Sequence, residues 1–142
     1  MFNLLKNYSF FYILGYLIEK INIYLKSDFL LNYLTNNLIS IEIALLAINI
    51  SSSGIILSRL KEIAPEDSFS ETIKEIKITI FEQIILIGLT LISFILLDTK
   101  ENEFVSVLRD WLLFLINGIF AYFLFILFDI SKSIFILIDF KK

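Results

Sequence analysis

The residues of this chain best able to do chemistry are polar groups set in long apolar runs. Glu42, Asn49 and Ser53 fall in one such run, Glu82 lies about one turn into a second, and Asn117 is alone in a third. Glu19 and Asn22 interrupt a shorter one. A carboxylate placed at mid-bilayer costs about 2.5–3.5 kcal/mol on insertion scales, so it faces a cavity or a partner rather than lipid. At about 100° per residue, Glu42, Asn49 and Ser53 share one helix face. Carboxylate, carboxamide and hydroxyl on one face can line a cation path, with a ring of Glu42 side chains at its mouth and Asn49 and Ser53 below it; Asn49 taken alone suits an interhelical hydrogen bond. The same Glu42 could instead snorkel to water from an interfacial position, or pair with Lys20 or Lys26. Glu82 suits either a solvated helix end or an inner vestibule. Asn117, beside Gly118 and Ala121, suits close helix packing.

Other chemistries fail on inventory. The chain has no Cys and no His, which removes thiolates, imidazole bases, disulfides and Cys/His metal sites. Ser51, Ser52 and Ser53 form a hydroxyl run, but no lysine lies inside a well-defined apolar run to activate it. No pair of aspartates is embedded in those runs. No catalytic residue, cofactor or metal is expected. A net charge of −3 gives no basic footprint for nucleic acid.

The elements that must position these residues follow from composition. The chain is 142 residues long, 58% hydrophobic and 19% charged, with a mean hydropathy of +0.84. A soluble domain of this size has too much surface to hide that much apolar material. Backbone groups in hydrocarbon must be satisfied internally, so an all-α membrane bundle is predicted. A crossing needs about 20 apolar residues. Spans are expected at 38–60, 78–97 and 111–128, with a fourth at 8–25. That last segment either crosses the bilayer, giving four spans, or lies at the interface with Tyr8, Tyr12, Gly15, Glu19 and Asn22 turned to water. Segment 27–37 is mixed and is expected as a short helix at the membrane surface. Ser68 and Glu71 have capping-box spacing, so a helix should start near Phe69 and run into the membrane at Ile78.

Charge sets orientation. The loop 59–77 carries four Lys/Arg, the loop before the third long run two, and the tail three. The positive-inside bias puts loop 59–77 and the C-terminus in the cytoplasm. Each of the four glycines (Gly15, Gly54, Gly88, Gly118) falls inside a candidate helix, as suits helices that touch closely in lipid.

Opposite Glu42 on its helix runs a second pattern. Ser40, Ala44, Ala47, Ser51, Gly54 and Ser58 recur at spacings of four and three, a seam made wholly of small residues. Such seams let two helix backbones approach closely, so self-association is expected there. A helix with two faces turned away from lipid belongs at the centre of a bundle or oligomer.

The stretch LISIEIALLAINISSSGIILSRLKEI, a small-residue span leaving the membrane into a charged segment and followed by two further spans, carries a resemblance. Over about residues 28–130 the layout resembles the B protein of the Rex phage-exclusion system and other small multi-span membrane effectors of bacterial antiphage defence. The resemblance implies a homo-oligomeric channel in the bacterial inner membrane that depolarises an infected cell. The rival reading is a non-conducting sensor or anchor whose charged segment 59–77 recruits a cytosolic partner.

Overall fold

The computed structural model describes the backbone of residues 2–63, 70–99 and 103–139, and the side chains of 9–62, 70–99 and 108–136. All regular structure in these segments is helical: α1 (Phe2–Leu25), α2 (Phe29–Ile63), α3 (Ser70–Asp98) and α4 (Glu103–Asp139). Among the described residues, three helices have the length and hydropathy to cross a membrane, over Phe29–Glu62, Ser70–Asp98 and Leu108–Ile136. The helices extend past the expected spans. At 1.5 Å per residue α2 and α4, of 35 and 37 residues, reach about 52 and 55 Å, against an apolar bilayer core of about 30 Å.

Segment 29–37 is not a separate surface helix but the first turns of α2. Thr35, Asn36 and Asn37 each return their side chains to the carbonyl four residues back, at 2.7–2.9 Å. These polar groups are thereby satisfied within the helix, while Leu34 and Leu38 on the other side are completely buried. Ser131 and Ser133 make the same return bonds in α4, to Leu127 and Asp129, which helps the helix continue beyond residue 128. α3 does begin ahead of the apolar run, at Ser70; Ser68 and Phe69 lie outside the described residues.

Between α1 and α2 the chain reverses within three residues. Lys26 adopts φ 53°, its N–H reaches the Ile23 carbonyl at 3.1 Å, and the Ser27 N–H reaches Asn22 at 3.0 Å. This bond pair is the Schellman closure, which satisfies carbonyls at the end of α1 and normally prefers glycine at the left-handed position.

α4 is the hub. It packs against all three other helices, and most extensively against α1. Half of its apolar window is buried, against 28% for α2 and 22% for α3. Of the expectation that α2 takes the centre of a bundle or oligomer, the bundle half is therefore corrected. α2 buries one face only, and its small-residue face lies on the outside. α4 takes the hub position because Leu113, Phe114, Ile116, Ile119, Tyr122, Phe123 and Ile126 bury several of its sides at once.

Two apolar clusters stack along the bundle. Phe11, Leu45, Leu86, Ile119, Tyr122, Phe123 and Ile126 form the larger. Leu34, Leu38 and Ile116, backed by Leu30, Phe94, Leu97 and Phe120, form a second toward the 26–28 turn. α1 crosses α4 where Gly15 meets Gly118. A Cβ on Gly15 would run into the Phe114 carbonyl oxygen, and one on Gly118 would lie 2.7 Å from the Phe11 carbonyl oxygen. Around this crossing Tyr12 stacks on Trp111, with centroids 6.2 Å apart, and Tyr16 meets Phe114 edge-on at 5.1 Å. The polar face of α1 is thus turned to α4, and not to water as the interfacial alternative had it. The side chain of Tyr8 lies outside the described residues. Gly54 and Gly88 make no such approach, since a Cβ on either would meet nothing within 4 Å.

Candidate functional site

Each helix pair that packs through polar groups is pinned by one carboxylate and one neutral donor. Glu19 on α1 accepts from Asn117 Nδ2 of α4 at 3.0 Å, and from Asn22 of its own helix at 3.5 Å. Glu42 on α2 accepts from the Thr90 hydroxyl of α3 at 2.7 Å. Glu82 on α3 accepts from the Tyr122 hydroxyl of α4 at 3.2 Å. Neither Lys20 nor Lys26 provides the partner considered for Glu42; Lys20 lies over the Tyr16 ring at 5.4 Å. The only ion pair among the described residues is the exposed Arg59–Glu62 bridge, within one turn of α2.

The interior between α2 and α3 is polar in layers. Glu42, Asn49 and Ser53 are all buried in the bundle, as are Gln83, Thr90 and Ser93 from the facing helix. The Glu42–Thr90 bond fixes the antiparallel register. Seven residues farther along each helix, about 10 Å away, Asn49 and Gln83 come to the same level. The Leu45 and Leu86 side chains, both in the larger apolar cluster, separate the two polar layers.

These layers are poorly satisfied by the protein itself. Glu42 Oε2, both amide atoms of Asn49 and both of Gln83 are buried without a hydrogen-bond partner. One such orphan costs about 1–3 kcal/mol. Asn49 also lines a cavity, so water can reach part of this set.

From the Asn49 level a cavity of about 470 Å³ opens toward the 59–77 end of the bundle. Asn49, Ser53, Thr72, Thr79 and Ser133 give its wall amide and hydroxyl groups, and Glu75, Glu82 and Asp129 give it three carboxyl groups. No Lys or Arg lines it among the described residues. Glu82 therefore sits on a cavity wall. A second, mostly apolar groove of about 680 Å³ lies between α1, α3 and α4. Glu82 and Tyr122 line both spaces, so their hydrogen bond stands at the partition.

The seam residues Ser40, Ala44, Ala47, Ser51, Gly54 and Ser58 lie on the outside of the chain. The structure thus separates the two faces of α2: the small-residue one is available at its surface, and the polar one is internal to a single chain. The expected ring of Glu42 side chains is therefore corrected, because Glu42 is fully buried against Thr90 of its own chain. Asn117 combines two of its roles, standing next to the Gly118 crossing and bonding Glu19. Asn22 is half-buried beside it.

Sequence reasoning missed Gln83, Thr90 and Tyr122. A signal existed for the first two. Thr79, Gln83, Leu86, Thr90 and Ser93 recur at four and three, a second polar face opposing that of α2. Tyr122 had no such signal, because a tyrosine amid phenylalanines reads as core until its hydroxyl is seen to reach Glu82.

Fold and site define a multi-pass, all-helical membrane protein with a polar interior. No protein-family model, no curated protein and no solved structure matches the chain.

Proposed function

We propose that this protein is a homo-oligomeric membrane effector that passes cations across the bilayer and so depolarises it. The observation that carries the reading is the buried run of Ser53, Asn49, Gln83, Glu42 and Thr90, with five unpartnered polar atoms, set above an acidic cavity. An ionisable group inside a membrane bundle faces a cavity or a partner and marks a candidate ion or proton pathway. A wall of carboxyl and hydroxyl groups, without Lys or Arg among the described residues, favours cations over anions. The path belongs to the interior of each chain, and the exposed seam from Ser40 to Ser58 holds copies together. The resemblance to small antiphage effectors supports abortive infection at the bacterial inner membrane as the setting, with loop 59–77 and the C-terminus in the cytoplasm.

The test is flux from liposomes carrying the purified full-length protein and a salt gradient, read with a potential-sensitive dye. The wild type is expected to dissipate a cation gradient, and Glu42→Gln to alter its rate or ion preference. Inert wild-type liposomes, or a preference for chloride, would overturn the reading. A cytosolic partner that co-purifies through residues 59–77, with no flux, would assign the protein to the anchoring class instead. Native mass in mild detergent tests assembly. Ala47→Phe and Gly54→Leu should lower the oligomer number, and an unchanged number would remove the seam from the interface.

A further inference from the structure

We infer that Glu42 is a proton-binding carboxyl reached by water from the 59–77 end of the bundle only, through the Asn49–Gln83 layer. The inference rests on the conduction reading and deepens it: it names the proton as the cation, and it makes this structure the state open to the 59–77 side alone, in which the apolar cluster beyond Glu42 stops passage.

Three observations meet at this point. The first is what the orphan atoms require. Asn49 and Gln83 present unpartnered donors and unpartnered acceptors at one level, and Glu42 adds an unpartnered acceptor beyond them. A metal ion could serve only the acceptors, and an anion only the donors. Water does both, and buried waters characteristically bridge such groups. The second is supply. Asn49 stands at the head of the cavity, whose 470 Å³ holds on the order of ten waters at about 30 Å³ each. The third is closure. Past Glu42 and Thr90 toward the 26–28 turn, the hydroxyl of Ser93 is taken up by the Leu89 carbonyl at 2.8 Å. Leu34, Leu38 and Ile116, with Phe94, Leu97 and Phe120 around them, then fill the bundle with apolar side chains. On the cavity side only the Leu45 and Leu86 side chains stand between the Asn49–Gln83 layer and Glu42, a thinner apolar barrier than the one toward the 26–28 turn, so Glu42 exchanges protons with the cavity side.

The other titratable groups along the route all belong to the cavity wall: Glu75 and Glu82 from α3, and Tyr122 and Asp129 from α4. Glu42 is the one contributed by α2, and the neutral Thr90 hydroxyl faces it from α3. The step is simple proton exchange. A hydronium ion in the cavity gives its proton to Glu42 Oε2, the water remains, and Oε1 keeps its bond from Thr90.

A hydrophobic carbodiimide tests this without relying on conduction. The O–H of a protonated buried carboxyl adds across one C=N bond to give an O-acylisourea, which rearranges to a stable N-acylurea with no atom lost. Full-length protein is placed in liposomes, its orientation is scored by protease access to the charged loop, and it is pulsed with N,N′-dicyclohexylcarbodiimide. Peptide mass spectrometry should find Glu42 modified. Its labelling should fall by about tenfold per pH unit above the midpoint when pH is raised on the 59–77 side, and not when it is raised on the other. Glu42→Gln should lose that adduct. The double variant Asn49→Leu with Gln83→Leu replaces the orphan amides by apolar groups of similar size, and should slow the response by at least about tenfold. Labelling that follows the opposite side, that ignores pH, or that is unchanged in the double variant would overturn the inference. Correct labelling in a protein that passes no current supports the proton site and removes the conduction reading. Cation flux with Glu42 unlabelled does the reverse.

Discussion

Replacing Gly118 by alanine is the sharpest probe of how α1 is held. The new Cβ would lie 2.7 Å from the Phe11 carbonyl oxygen, 3.2 Å from the carbonyl carbon and 3.4 Å from the Tyr12 Cα. All three are backbone atoms, so no side chain can swing aside. Restoring ordinary contact requires α1 to retreat by about 0.7 Å. Overpacking of this kind costs about 1–3 kcal/mol. The same retreat stretches the neighbouring Asn117–Glu19 bond, now 3.0 Å, to about 3.7 Å, beyond hydrogen-bonding range. An interhelical bond in a membrane contributes about 0.6 kcal/mol. Alanine recovers about 0.5–1 kcal/mol through its better helix propensity. The net loss is about 1–3 kcal/mol, a fall of about five- to 150-fold in the folding equilibrium. Trp111, the only tryptophan, stacks on Tyr12 across this crossing, so its fluorescence during titration with dodecyl sulfate in mixed micelles reads the separation directly. Gly88→Ala is the control. Nothing lies within 4 Å of a Cβ there, and a gain of up to about 1 kcal/mol is expected. If Gly118→Ala matches Gly88→Ala in midpoint and slope, the backbone contact does not hold α1 in place and the packing argument fails.

Single interactions elsewhere give two more tests. Thr90→Val keeps the shape of the side chain but leaves both oxygens of Glu42 unpartnered, and should destabilise the fold by about 1–3 kcal/mol in the same titration; adding Glu42→Leu should restore most of the loss, because an apolar pair replaces a half-satisfied polar one. Lys26→Gly relieves a non-glycine residue at φ 53° and should stabilise the α1–α2 turn by about 1 kcal/mol; a lower midpoint would show that Lys26 contributes through its side chain.

Much of the architecture was legible because a bilayer permits so few backbone solutions. Helices were demanded by the apolar runs, and the inward face of α2 could be read from Glu42, Asn49 and Ser53 alone. Helix ends were less legible. Thr35, Asn36 and Asn37 look like a surface segment until their bonds to preceding carbonyls are seen. The same local return bonds occur in α4 at Ser131 and Ser133. Polarity in a sequence does not say whether a group needs water, because a helix can satisfy it from within.

Composition and spacing sufficed for the membrane class, for the three long apolar helices around 38–60, 78–97 and 111–128 though not for whether 8–25 is a fourth span, and for the division of α2 into a polar and a small-residue face. Partner choice waited on the folded bundle. Register along the chain cannot reveal that Glu42 finds Thr90 and not a lysine, that Glu82 finds Tyr122, or that Glu19 finds Asn117. Nor could it reveal that α4, and not α2, is the hub. Apolar side chains drive these helices into lipid with little preference among neighbours. The choice of neighbour falls to a few close contacts and hydrogen bonds, such as Gly15 against Gly118, that exist only once the helices have met.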